Sequence, residues 1–176
     1  MANEYLVSVG KQFRYYKKLG EKTFEQLKDE QLFWKYNEES NSIATIVKHL
    51  WGNMLSRWTD FLTTDGEKEW RQRDSEFEND IKDKNELLSK WNEGWECFFN
   101  ALYSINNENF NSTIYIRNEA HSITDAINRQ LAHYAYHLGQ IVYLGKMMID
   151  TNWNSLTIPR GESKKYYNKM ISKSKS

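Results

Sequence analysis

Hydrophobic residues recur at three- and four-residue steps along four long stretches of the chain. That spacing lines up one face of an α-helix. The first stretch covers residues 3–27, with Tyr5, Leu6, Phe13, Tyr16, Leu19, Phe24 and Leu27 on its stripe. The second covers 42–64, opened by Ser42 as N-cap and stopped by Asp65-Gly66, with Ile43, Ile46, Val47, Leu50, Met54, Trp58 and Phe61 in line. The third covers 83–105, where Leu87, Leu88, Trp91, Trp95, Phe98, Phe99 and Leu102 share a face. The fourth covers 122–149, carried by Ile127, Leu131, Tyr134, Leu138, Ile141, Val142, Gly145 and Ile149.

The intervening segments lose this period. Residues 29–40 form a polar connector whose Leu32, Phe33 and Trp34 should plug the bundle end. Residues 65–80 are charged and predict a long loop pinned by Trp70 and Phe77. The Asn-rich stretch 106–122 holds Ser112-Thr113-Ile114-Tyr115-Ile116, of strand-like composition, with a turn at Asn118-Glu119; a short extended segment or hairpin is expected there. Residues 155–159 are irregular, and a short helix is expected over 162–170. Four amphipathic helices must bury their stripes against one another, so the fold class is all-α, a four-helix bundle with long connectors. The bundle domain is expected over 1–160, with 161–176 as a short C-terminal helix and a Lys/Ser-rich tail, frayed and solvated.

Composition narrows the setting. One Pro and eight Gly in 176 residues leave room for long regular elements, and the 15% aromatic content supplies core material that disordered chains lack. The 24 basic and 24 acidic side chains balance, which argues against nucleic-acid and membrane-surface partners. Only the tail is lopsided, with five Lys and no acid over 164–176. Cys97 is the single cysteine, so no intrachain disulfide forms and a reducing compartment fits. It sits among Trp95, Phe98 and Phe99 and reads as a packing residue. The first residues lack the pattern of a signal peptide, and the longest apolar run, 141–144, falls far below the ~20 residues of a membrane span. A cytoplasmic protein is expected.

The chemistry rests on four histidines. His133 and His137 stand four residues apart on the fourth helix, about 40° apart around its axis, so both imidazoles leave one face. Spacing alone allows a metal site or two structural histidines. The residue after His133 is Tyr134 rather than the Glu of zinc peptidases, which argues against that chemistry. His49 lies outside the stripe of the second helix, beside Ser42, Thr45 and Asn53; it belongs either to an exposed polar face or to a cleft wall facing the fourth helix. His121 could cap the fourth helix, line the cleft or add a ligand. Gln130, Gln140 and Asn53 are candidates to support the histidines, and Tyr134 or Trp51 to line the cleft. No carboxylate can be assigned to the site from the sequence.

Two segments go further: residues 42–54, Ser42-Ile43-Ala44-Thr45-Ile46-Val47-Lys48-His49-Leu50-Trp51-Gly52-Asn53-Met54, and residues 127–141, Ile127-Asn128-Arg129-Gln130-Leu131-Ala132-His133-Tyr134-Ala135-Tyr136-His137-Leu138-Gly139-Gln140-Ile141. With the flanks 116–122 and 155–161, they resemble the DinB-like superfamily over nearly the whole chain, and within it a subfamily of stand-alone bacterial proteins. The resemblance implies a four-helix bundle and a divalent metal ion, Zn²⁺ or Ni²⁺, held by His49, His133 and His137. His121 has no metal role in that pattern. It also implies a homodimer. Relatives of this kind include thiol transferases that use bacillithiol or mycothiol, so a low-molecular-weight thiol is an implied cofactor and a small molecule the implied substrate. Three neutral imidazoles leave such an ion with open positions, where the pKa of a bound water or thiol falls.

Two functional readings stand at this point. One is a metal-dependent thiol transferase or hydrolase. The other is a non-catalytic metal-binding or dimerisation module, to which the missing base points.

Overall fold

A computed structural model describes residues 2–174. The long helices are α1 (Ala2–Phe24), α3 (Ile43–Trp58), α4 (Lys84–Ser104) and α5 (Ile123–Ile149); the short helices are α2 (Asp29–Leu32) and α6 (Ser163–Ser174). Strands β1 (Thr113–Ile116) and β2 (Glu119–Ser122) form an antiparallel hairpin between α4 and α5. No helix among the described residues is long and apolar enough to cross a membrane.

Caps set the starts of the helices. Ser42 Oγ accepts from Thr45 N at 3.0 Å, Asp83 Oδ1 from Glu86 N at 2.9 Å, and Ser122 Oγ from Asp125 N at 3.0 Å. Each pairs one of the N–H groups that a helix leaves unsatisfied in its first turn. The second predicted helix stops earlier than its stripe suggests. Thr59 leaves the helical region, Asp60 takes a φ of +48°, and the Asp60 carbonyl accepts from Thr63 N and Thr64 N. Phe61 still reaches the core, but from this turn.

The bundle is not a simple up-and-down one. Helix α1 packs on α5 and α4, and α3 packs on α4 and α5. The pairs α1/α3 and α4/α5 therefore stand on the diagonals, and the two connections between them cross an end of the bundle. An aromatic core fills the centre. Phe13, Trp95, Phe98 and Tyr134 are all fully buried, with ring centroids 4.3–6.5 Å apart. Most contacts are edge-on, the favoured aromatic geometry. Burying such side chains is the main stabilising term, about 1.5–3 kcal/mol for each large apolar group.

The connectors hold the departures from expectation. Leu32 plugs the bundle end from α2 and Phe33 packs beside it, but Trp34 remains exposed. The loop over 65–80 contains one 3₁₀ turn, Asp74–Phe77. Trp70 does not pin it, being 56% exposed; Arg71 and Glu76 are buried instead. The hairpin turn falls at Arg117 and Asn118, with φ of +56° and +61°, one residue earlier than expected. Two positive-φ residues match the twist of a two-residue hairpin. Asp65 secures this turn, its carboxylate accepting from Arg117 N (2.9 Å), Asn118 N (2.8 Å) and Glu67 N (2.6 Å). The Lys-rich segment is helical as far as Ser174 rather than frayed, because Tyr166, Tyr167, Met170 and Ile171 keep helical spacing; it is solvated, as expected. Residues 175–176 of the tail lie outside the described residues.

Candidate metal centre

His49 comes from α3, and His133 and His137 from α5, where the two helices lie side by side. The His133 Nε2 atom is 3.2 Å from His49 Nε2 and 3.1 Å from His137 Nε2. The ligand atoms of all three lie within 4.8 Å of one another, a cluster that could hold a metal ion. His49 is thus the wall of a cleft facing α5, and buried, rather than part of an exposed face. His121 is not in the cluster. It sits on β2 opposite Ile114, with Nε2 3.9 Å from Glu119 Oε2.

The far nitrogens fix the tautomers. His49 Nδ1 donates to Glu76 Oε2 at 2.9 Å, and His137 Nδ1 donates to Gln140 Oε1 at 2.9 Å. Both Nε2 atoms therefore present lone pairs to His133 Nε2, which has at most one proton to offer. One lone pair is left facing nitrogen. A metal cation would satisfy all three at once, and nitrogen ligands about 2.0–2.1 Å from Zn²⁺ in tetrahedral geometry stand about 3.3–3.4 Å apart, close to the two spacings from His133. The donor set fits the ion. Burial, then the neighbouring His137 and His49, lowers the His133 pKa to about 3. Burial and His49 lower that of His137 to about 4. Both rings are neutral at pH 7, as ligands must be.

Glu76 is the supporting residue that the sequence hides. Burial pushes its carboxyl up, but hydrogen bonds from His49 and Arg71 overcome this and hold it below the usual range. Arg71 grips it with two bonds, Nε to Oε1 at 2.7 Å and Nη2 to Oε2 at 3.0 Å. A carboxylate behind a ligand histidine orients the ring and raises its basicity. Gly52, one turn beyond His49, makes room for it: a Cβ there would lie 2.8 Å from Glu76 Cδ. A glycine inside a helix costs about 1 kcal/mol relative to Ala and marks a close approach, the one local signal that could have pointed to this contact. Phe77 stacks on His49 with centroids 5.0 Å apart.

Of the other candidates, Gln140 supports His137 as described. Asn53 Oδ1 accepts from Tyr134 OH at 3.3 Å, and Gln130 is buried with its Oε1 unpartnered. Tyr134 does not line the cleft. It is fully buried, and also accepts from Trp58 Nε1 at 3.2 Å. Trp51 faces α4, where Nε1 donates to Glu93 at 2.8 Å; Phe77 and Tyr136 are the aromatics at the cleft. Cys97 is half-buried, and burial pushes its thiol up, as suits a packing residue.

The histidines open into a cleft of about 450 Å³, lined as well by Arg57, Arg71, Arg73, Arg117 and Arg129. Among the described residues that line it there is no carboxylate. No curated protein and no solved structure matches the chain. One family model does, over residues 1–162, so the chain belongs to the family described as protein of unknown function (DUF1572).

Proposed function

We propose that the chain holds one divalent transition-metal ion, Zn²⁺ or Ni²⁺, on His49, His133 and His137, and is an enzyme that transfers a small-molecule thiol to an electrophile. The observation that carries this reading is the convergence of three Nε2 atoms at the mouth of a cleft, two of them with their proton tautomers set from behind. A three-imidazole set leaves the ion open positions, through which it acts as a Lewis acid and lowers the pKa of a thiol or water. The resemblance to DinB-like thiol transferases supports the same reading.

The protein's own part is to hold and orient. Glu76, itself held by Arg71, keeps His49 as the Nδ1–H tautomer. Gln140 does the same for His137. Glu76 has both oxygens engaged and is not free to serve as a base. The cleft lining among the described residues offers no carboxylate in its place. That favours thiol transfer over hydrolysis, since hydrolysis normally needs a positioned acid or base to move a proton to the leaving group. A thiol with a lowered pKa carries its own nucleophile. The thiol loses its proton to solvent, the thiolate sulfur then forms the bond to the electrophilic carbon, and the leaving group departs with the electron pair of its broken bond to that carbon.

The test is an assay with bacillithiol and a chlorinated aromatic electrophile. Turnover is expected from the metal-loaded protein, abolished by chelation and by His133→Ala. Metal-loaded protein without turnover on any thiol would support the non-catalytic module instead, and turnover of ester substrates alone would support a hydrolase.

A further inference from the structure

Two side-chain rows face each other across the cleft. On α3, His49, Asn53 and Arg57 follow at four-residue steps; on α5, Arg129, His133 and His137 do the same. Residues at that step share a helix face. His49 meets His133 and His137, whereas Arg57 shares Glu67 with Arg117 of the hairpin that leads into α5. Both rows therefore run from histidine at one end of the cleft to arginine at the other. Arg129 is one turn from His133, about 6 Å along the axis, and Arg57 is two turns from His49, about 12 Å.

The charge of the cleft lining is not balanced. Five guanidinium groups line the cleft, and the acids that touch them are Glu67 and Glu76. Glu67 serves Arg57, Arg117 and Arg71 together. The Arg129 side chain makes no ion pair or hydrogen bond with any described residue. Arg57 and Arg71 are each more than nine-tenths buried, yet Arg57 Nε and Arg71 Nη1 lack a hydrogen-bond partner, as does Gln130 Oε1 in the same lining. Buried polar atoms are normally paired, because an unmet one costs about 1–3 kcal/mol. Arg71 Nη1 still has Glu67 Oε1 at 3.6 Å, so the lining leaves one donor, Arg57 Nε, and one acceptor, Gln130 Oε1, unmet.

We propose that the cleft binds a small molecule bearing a carboxylate or phosphate group, with that anion held between Arg57 and Arg129 and the reacting end toward the three histidines. The inference rests on the proposed metal-dependent activity for its reacting end only; the anion subsite stands on the arginines. Guanidinium forks match planar or tetrahedral oxyanions in geometry as well as charge. Gln130 Oε1 adds a place for one hydroxyl or N–H of the ligand. A cleft of about 450 Å³ matches a small molecule, and the chain's zero net charge gives a polyanion no general attraction.

The test is isothermal titration calorimetry of the full chain with succinate, inorganic phosphate and neutral succinamide, with metal content measured on the same samples. Succinate or phosphate should bind, with and without metal, and succinamide should not. The stronger of the two anions identifies carboxylate or phosphate as the group. Arg129→Gln, at an exposed position without partners, should weaken binding at least tenfold while leaving metal content unchanged; Arg129→Lys should recover part of it. Arg57→Gln, if it folds, should do the same as Arg129→Gln. Three results would overturn the proposal: no binding of either anion to metal-replete protein, binding unchanged in Arg129→Gln, or tighter binding of a single-stranded oligonucleotide than of either anion. Absence of metal with anion binding intact would instead sink the metal reading and leave this one standing.

Discussion

Gly52→Ala separates the proposed role of Glu76 from general stability. Gly52 lies inside α3, where replacing Gly by Ala normally gains about 1 kcal/mol. Here the new Cβ would stand 2.8 Å from Glu76 Cδ and 3.2 Å from its Cγ, and closer still to Oε1. Glu76 is buried and clamped by Arg71, so its side chain has to leave its seat and release His49 Nδ1. One charge-assisted hydrogen bond lost costs about 1.5–3 kcal/mol. Against the helix gain, the net is a destabilisation of about 0.5–2 kcal/mol. Loss of the group behind a ligand histidine should lower metal affinity by about 10–100-fold. Gly139→Ala is the matched control. It is also helical, but a Cβ there meets nothing within 4 Å. It should gain about 1 kcal/mol and bind metal as the wild type does. Urea unfolding of the metal-free proteins and zinc competition against a chromophoric chelator give both quantities. If Gly52→Ala gains stability like Gly139→Ala and binds zinc at wild-type affinity, the reasoning about Glu76 fails.

Other outcomes follow from single contacts. Tyr134→Phe removes a hydroxyl that accepts from Trp58 and donates to Asn53. It should cost about 1–2 kcal/mol in urea unfolding while zinc affinity stays put, since the ring faces the core; a large loss of affinity would contradict that placement. Burial pushes the Asp65 carboxyl up, but the N–H groups of Asn118, Glu67 and Arg117 hold it below the usual range. Its contribution is therefore in place above an unfolded pKa of about 3.9 and is lost as pH falls through the lower folded value. Asp65→Asn should flatten the decline of the urea midpoint below about pH 4; an unchanged acid slope would remove Asp65 from that role. Trp95→Ala, at a fully buried core position, should destabilise by about 3–5 kcal/mol, and a value below 1 kcal/mol by the same unfolding measurement would show that the aromatic cluster is not the centre of the core.

The four long helices were legible because each carries its own period, and the start of α3 because Ser42 stands there as its cap. His133 and His137 were legible for the same reason, since four-residue spacing is local. The order of helices around the bundle was not, because a stripe says that a face is buried but not against what. Glu76 and Arg71 lie in a charged loop with no period, and nothing in the segment marks them as buried; only Gly52, on another element, bears their imprint. The five cleft arginines come from α3, the loop, the hairpin and α5, so the fold alone assembles them. Two of the five can still be traced in the chain, in the rows His49-x3-Asn53-x3-Arg57 and Arg129-x3-His133-x3-His137.

The central claim is the ion. Elemental analysis of protein purified without a His-tag should find about one divalent ion per chain, as a single three-histidine site holds, and anomalous scattering from crystals of it should place that ion among the Nε2 atoms of His49, His133 and His137. The variant with all three changed to Ala should contain none; equal metal content in that variant, or an ion elsewhere in the chain, would contradict the account.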